Sequence, residues 1–162
     1  MSTETRAFIG LGANLGDFQA VLQSAFEAIA RLPKTRLLTR SSLYRSAPYD
    51  AGGPDYLNAA AEIATLQSAT ALLMHLQAIE RQHGRERPYH HAPRTLDLDL
   101  LLYGNERVST VTLTLPHPRL HERAFVLMPL AEIAPHLVIP GVGAVVDCLP
   151  RLAAQRVDRL AR

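Results

Sequence analysis

Hydrophobic and polar positions change period along this chain, and the changes mark its elements. Arg6 to Gly12 reads as a strand, Asn14-Leu15-Gly16-Asp17 as a turn, and Asp17 is placed to cap a helix. Phe18, Val21, Leu22, Ala25, Ile29 and Leu32 then recur at three- and four-residue spacings, an amphipathic helix that stops before Pro33. Arg36 to Tyr44 is a second strand, and the loop Ser46 to Pro54 leads into a third, Tyr56 to Thr65. There Leu57, Ala59, Ala61 and Ile63 point inward, while Tyr56, Asn58, Ala60 and Glu62 point outward. Ser68 is placed to cap a second helix carrying Leu72, Leu73, Leu76 and Ile79, with Gly84 as its terminator.

Arg94-Thr95-Leu96-Asp97-Leu98-Asp99-Leu100-Leu101-Leu102-Tyr103 is a further strand, interrupted by two acids. Leu96, Leu98, Leu100 and Leu102 point one way; Thr95, Asp97, Asp99, Leu101 and Tyr103 point the other, with same-face residues about 6.6 Å apart. Beyond Gly104 the pattern predicts a short hairpin through Val108 to Leu115 and a helix from Arg123 to Ile133. A Gly/Pro-rich connection and a last helix from Val146 to about Leu160 follow.

The core order of strand, helix, strand, strand, helix, strand is the split βαβ pattern of ferredoxin-like folds. The expected class is α+β: an antiparallel sheet with helices on one face and the active site on the other, plus C-terminal additions. Asn58, Glu62, Asp97 and Asp99 would lie on the open face. Residues 1–162 form one domain by length, and that size buries a core without staples.

Composition narrows the class without naming a function. With 48% hydrophobic and 20% charged residues the chain is an ordinary globular protein. No apolar run approaches the ~18 residues of a membrane span, and the first residues lack a signal-type pattern, so a soluble cytoplasmic protein is expected. The single cysteine, Cys148, excludes an internal disulfide. Lys34 is the sole lysine among 17 basic residues, and a formal charge of +2 makes no case for nucleic acid.

Two carboxylates so close repel each other and must meet water or a cation, and Mg²⁺ is the hard cation that suits them. A solvated acidic face is the plain alternative. Immediately upstream, Arg85-Glu86-Arg87-Pro88-Tyr89-His90-His91-Ala92-Pro93-Arg94 concentrates guanidinium groups. Beside a metal site they would make a polyphosphate clamp, able to hinge as a lid. The arginines also keep both acids ionised, which opposes a general-acid role. Zinc is disfavoured, because Pro116 and Pro118 oppose a helix through His117 that would pair it with His121. His117 reads better as a phosphate or nucleotide contact with Arg119 and Arg123 near. Gly10-x-Gly12-x-x-x-Gly16 misses the dinucleotide spacing by one position, so its glycines serve the turn and close packing.

Five ordered segments carry a resemblance: Gly12-Ala13-Asn14-Leu15-Gly16, Ser42-Leu43-Tyr44-Arg45-Ser46, Pro54-Asp55-Tyr56-Leu57-Asn58-Ala59, Pro93-Arg94-Thr95-Leu96-Asp97-Leu98-Asp99 and Pro116-His117-Pro118-Arg119-Leu120. From about Ala7 to Pro135 the chain resembles the 6-hydroxymethyl-7,8-dihydropterin pyrophosphokinases of folate biosynthesis. The resemblance implies transfer of diphosphate from ATP, as co-substrate, to the hydroxymethyl oxygen of the reduced pterin, with AMP leaving. It implies that Asp97 and Asp99 hold two Mg²⁺ ions and that Arg85 and Arg94 act on the phosphates in catalysis. ATP contacts match Leu73, Gln77, Arg85, Arg87, Arg94, Leu100, Thr114, His117 and Arg123; the pterin pocket matches Ser46, Ala47, Tyr49, Tyr56, Asn58 and Phe125. The family's usual form implies a monomer, with no nucleic-acid or membrane partner. Departures are a loop one residue shorter, His91-Ala92 in place of Trp-Gly, Pro118 where an aromatic often stands, and Thr112 where an arginine can occur. A nucleotide-sensing module without turnover and a metal-dependent phosphohydrolase are the competing classes.

Overall fold

A computed structural model of the chain describes residues 3–13, 18–46, 55–83 and 96–160. Its elements are β1 (Thr5–Ala13), α1 (Phe18–Ala30), β2 (Thr35–Arg40), β3 (Tyr44–Ser46), β4 (Tyr56–Thr65), α2 (Ala69–His83) and β5 (Asp97–Tyr103). There follow β6 (Val108–Ser109), β7 (Thr114–Leu115), α3 (Ala124–Ile133), β8 (Val138–Ile139), β9 (Gly143–Ala144), α4 (Val145–Cys148) and β10 (Val157–Arg159). Short 3-10 turns cover Leu120–Glu122 and Leu149–Leu152. The expected turn at Asn14 to Asp17, the Asp17 cap, the Gly84 terminator and the loop from Arg85 to Arg94 lie outside the described residues. Among the described residues no helix is long and apolar enough to cross a membrane.

The main sheet is antiparallel and runs β10-β3-β4-β1-β5, with β2 pairing a second stretch of the β4 edge. α1 and α2 cover one face. Leu22, Ala25, Phe26 and Ile29 from α1 and Leu72, Leu76 and Ile79 from α2 are buried against Ala7, Ile9, Leu11, Leu57, Ala59 and Ile63. Ser68 caps α2 as expected, its Oγ accepting the Ala71 N–H at 3.1 Å.

Four expectations change. The strand expected over Arg36 to Tyr44 breaks into β2 and β3 because side-chain oxygens replace ladder partners at Ser41 and Ser42. The Ala60 N–H donates to Ser41 Oγ at 2.8 Å, and the Ser42 N–H donates to the Glu132 carboxylate at 3.0 Å. Secondly, alternation along β5 holds only through Leu100. Ile9 pairs with Leu100 and Phe8 with Leu102, so Leu101 is the extra residue of a β-bulge. Leu101 and Leu102 therefore both pack away from α1 and α2, while Tyr103 turns back to the helix side and its hydroxyl donates to the Gln67 carbonyl.

Thirdly, the second face is only partly open. Leu120, Ala124, Leu127, Leu130, Ile139, Val145 and Leu152 form a second core with Phe8, Leu101 and Leu102. Glu62, expected on the open face, is buried and pairs with Arg6 at 3.6 Å. Finally, the helix expected from Val146 to Leu160 shrinks to α4 and a 3-10 turn. Pro150 removes an N–H there, and the chain beyond pairs as β10 with β3, Val157 opposite Ser46.

Candidate active site

β1 and β5 build the floor of a cavity of about 480 Å³ on the face that α3 leaves open. Gly12 pairs with Asp97 and Gly10 with Asp99, so each acid stands beside a position without a side chain. A Cβ on Gly10 would meet the Leu101 methyl carbons at 3.4 Å, and one on Gly12 would meet Asn58 Oδ1 at 3.5 Å. The two glycines keep the space between the acids and Asn58 clear. Asp97 is half-buried and Asp99 exposed.

Five further segments contribute side chains. Ser46 from β3 and Tyr56 and Asn58 from β4 line the cavity; Asn58 is buried, and its Nδ2 donates to Ser46 Oγ at 2.8 Å. His117, Pro118 and Arg119 come from the connection after β7, and Arg123 and Phe125 from the start of α3. The Arg123 guanidinium lies over the Phe125 ring, 5.6 Å from its centre. Glu80 of α2 reaches the outer edge of β5, where its Oε2 accepts the Leu98 N–H at 2.8 Å, between the two acids.

The bulge in β5 fixes His117. The carbonyl of the extra residue, Leu101, accepts the His117 N–H at 2.9 Å. Nδ1 of His117 faces the Arg119 N–H at 3.3 Å and acts as its acceptor, which assigns the ring proton to Nε2, 4.0 Å from Asp99 Oδ1. Burial lowers the basicity of this imidazole, the Asp99 charge works against that, and Arg123 and Arg119 lower it further. The net direction favours a neutral ring with Nε2–H available as a donor.

A smaller hollow of about 240 Å³ adjoins the cavity and shares Asp99, His117 and Pro118 with it. Leu73, Leu98, Leu100 and Val111 to Thr114 complete its lining. It brings together Leu73, Leu100, Thr114 and His117, four of the residues matched to nucleotide contacts. Gln77 is exposed one turn beyond Leu73 on α2 and lines neither hollow. Arg85, Arg87, Arg94, Ala47 and Tyr49 lie outside the described residues.

Zinc finds no support in the geometry of its proposed pair: His117 precedes the 3-10 turn that holds His121, so the two share no α-helical face. Among the described residues no three His, Cys, Asp or Glu side chains are grouped to hold a metal ion. A carboxylate pair that shares a cation with substrate phosphates and water is the usual Mg²⁺ arrangement, and Asp97 with Asp99 fits it. Sequence reasoning gave Gly10 and Gly12 a turn and close-packing role without placing them beside the acids, and it missed Glu80. The register of β1 against β5 places the glycines, and helical spacing sets Glu80 three residues beyond Gln77 on the Leu73 side of α2.

A model of the family described as 7,8-dihydro-6-hydroxymethylpterin-pyrophosphokinase (HPPK) matches residues 8–135. The chain is 43% identical over 155 residues to a 2-amino-4-hydroxy-6-hydroxymethyldihydropteridine pyrophosphokinase of Haemophilus influenzae, covering 95% of this chain and 97% of that one. A relative of the same name from Pseudomonas aeruginosa is 40% identical over 156 residues, covering 96% of each. Among solved structures the fold is similar to an HPPK-DHPS in complex with substrates, with TM-score 0.75 and 10% identity over 94% of this chain. It is also similar to a Plasmodium falciparum HPPK-DHPS triple mutant, with TM-score 0.74 and 11% identity over 94% of this chain. The chain spans less than half the length of these two structures, 44% and 45%.

Proposed function

The chain belongs to the 7,8-dihydro-6-hydroxymethylpterin-pyrophosphokinase family, and on that premise we propose that it transfers diphosphate from ATP to 6-hydroxymethyl-7,8-dihydropterin in folate biosynthesis. The hydroxymethyl oxygen attacks the β-phosphorus, the bond from that phosphorus to the α,β-bridging oxygen breaks, AMP leaves, and the hydroxyl proton is released. The observation that carries the reading is the meeting of two chemistries in one cavity. Tyr56, Asn58 and Phe125 suit a flat, polar-edged ring, and Asp97 and Asp99 suit a metal-bound polyphosphate.

In this reading the reduced pterin stacks between aromatic faces from Tyr56 and Phe125. Asn58 is held by Ser46 through Nδ2, which leaves Oδ1, on the Gly12 side, to accept from the pterin edge. ATP enters the adjoining hollow, its base against Leu73, Leu100 and Thr114, with Gln77 one turn beyond. Asp97 and Asp99 would hold two Mg²⁺ ions, which when bound neutralise phosphate oxygens and orient in-line displacement. His117 donates Nε2–H to a phosphate oxygen, and Arg123 with the loop arginines Arg85, Arg87 and Arg94 offsets the remaining charge. Ala47 and Tyr49 complete the pterin side by family resemblance.

We read the β5-β1-β4-β2 order with α1 and α2 on one face as a ferredoxin-like core, and the elements from β6 onward as additions to it. Residues 1–162 act as one cytoplasmic, monomeric domain in this reading. Incubation with Mg²⁺, ATP and the reduced hydroxymethylpterin, followed by nucleotide separation, tests it. AMP that appears only with pterin is expected; ADP, or phosphate release independent of pterin, refutes it.

A further inference from the structure

The segment after the Leu149–Leu152 turn touches both sides of the cavity. Gln155, an exposed residue, uses both ends of its amide on the start of α3. Its Oε1 accepts the Ala124 N–H at 2.8 Å, and its Nε2 donates to the Glu122 carbonyl at 2.9 Å. These peptide groups flank Arg123, and no side chain at the Arg123 cap position of α3 does this work. Two residues further on, Val157 pairs with Ser46, and the Leu160 N–H donates to the Leu43 carbonyl at 2.9 Å.

The geometry points to Gln155 as a positioning residue of the active site. Its amide brackets Arg123, and through that backbone it sets the directions of Arg123 and Phe125 toward the cavity. The bracket satisfies one of the N–H groups that a helix start leaves without an intrahelical partner. It also ties the Arg123–Phe125 side to the strand carrying Ser46, because only Arg156 separates Gln155 from β10. The inference rests on the pterin diphosphokinase reading above.

Gln155→Ala removes both bonds but no buried apolar volume, so the variant should fold. Steady-state kinetics well below its melting temperature should show Michaelis constants for pterin and ATP raised roughly five- to tenfold, the factor that two modest hydrogen bonds supply. Amide exchange at Ala124 should quicken by a similar factor while β4 amides keep their wild-type rates. Gln155→Glu keeps an acceptor for Ala124 at a helix start, where negative charge is favoured, and should restore Ala124 protection and part of the binding loss. Arg156→Ala, next along the segment, should keep wild-type constants. A Gln155→Ala protein that loses melting temperature yet keeps both Michaelis constants makes the bracket merely structural and overturns the inference. If the wild-type chain forms no pterin-dependent AMP, the functional reading itself fails, a result distinct from normal wild-type turnover with an indifferent Gln155.

Discussion

Replacing Glu132 with alanine should cost this protein about 3–5 kcal/mol of stability, because its half-buried carboxylate is the acceptor for two or three otherwise unsatisfied buried donors. Glu132 projects from α3 to the break between β2 and β3. Its carboxylate accepts the Ser42 N–H at 3.0 and 3.1 Å, the Ser42 hydroxyl at 3.1 Å and the Tyr44 hydroxyl at 2.7 Å, with Arg159 at 3.5 Å. Ser42 and Tyr44 are each 4% exposed, so alanine strands two or more buried donors at about 1–3 kcal/mol each. For a chain of this size the loss lowers the melting temperature by roughly 6–20 °C.

The pH dependence has a definite sign. Burial alone would raise the Glu132 carboxyl, but the hydrogen bonds from Tyr44 and Ser42 and the Arg159 charge outweigh it, so its pKa lies below the ordinary value. Burial and the same carboxylate push the Tyr44 phenol upward, so it remains a donor. The stability due to ionised Glu132 is therefore complete above about pH 4.3, the unfolded value, and disappears as pH falls through the lower folded-state value. Urea melts of wild type and Glu132→Gln should differ by a constant amount between pH 6 and 8, with the gap closing below about pH 4. A Glu132→Ala loss below about 1 kcal/mol at pH 7, or a gap that persists unchanged to pH 3, would refute the network argument.

Two further outcomes bear on the cavity. Asp97→Asn or Asp99→Asn should lower turnover roughly 10²–10³-fold, the scale for losing a preorganised electrostatic group, with little change in melting temperature because neither acid belongs to the core; parallel losses of activity and melting temperature would mark the pair as structural. Gly10→Val puts methyl groups beside Leu101 and into the space next to Asp99. Overpacking of about 1–3 kcal/mol should lower kcat/KM at least about fivefold, and an unchanged value would show that the glycine floor is dispensable.

Much of the site is legible from periodicity. Alternation through Leu100 places Asp97 and Asp99 on the cavity face, and the period of β4 places Tyr56 and Asn58 beside them. The same reasoning fails at Leu102 and Tyr103, because a bulge is an irregularity in pairing and leaves no mark on the hydrophobic pattern. It fails again at Glu62, where α3 and its neighbours bring a second apolar layer over part of a face that looks solvent-exposed in strand-by-strand terms. The expected C-terminal helix becomes β10 because its best partner, β3, is more than a hundred residues earlier in the chain.

By itself, then, the sequence determined β1, α1, β4, α2 and the start of β5, the carboxylate pair and the family, since these depend on local period and ordered motifs. Only the tertiary structure decided that glycines face the acids, that Glu80 covers the β5 edge between them, that His117 hangs from a bulged carbonyl, and that Gln155 brackets Arg123. Each of these joins residues distant in sequence through one or two directional contacts. A hydrophobic period reports burial, and it carries no record of which remote backbone group a polar side chain will meet.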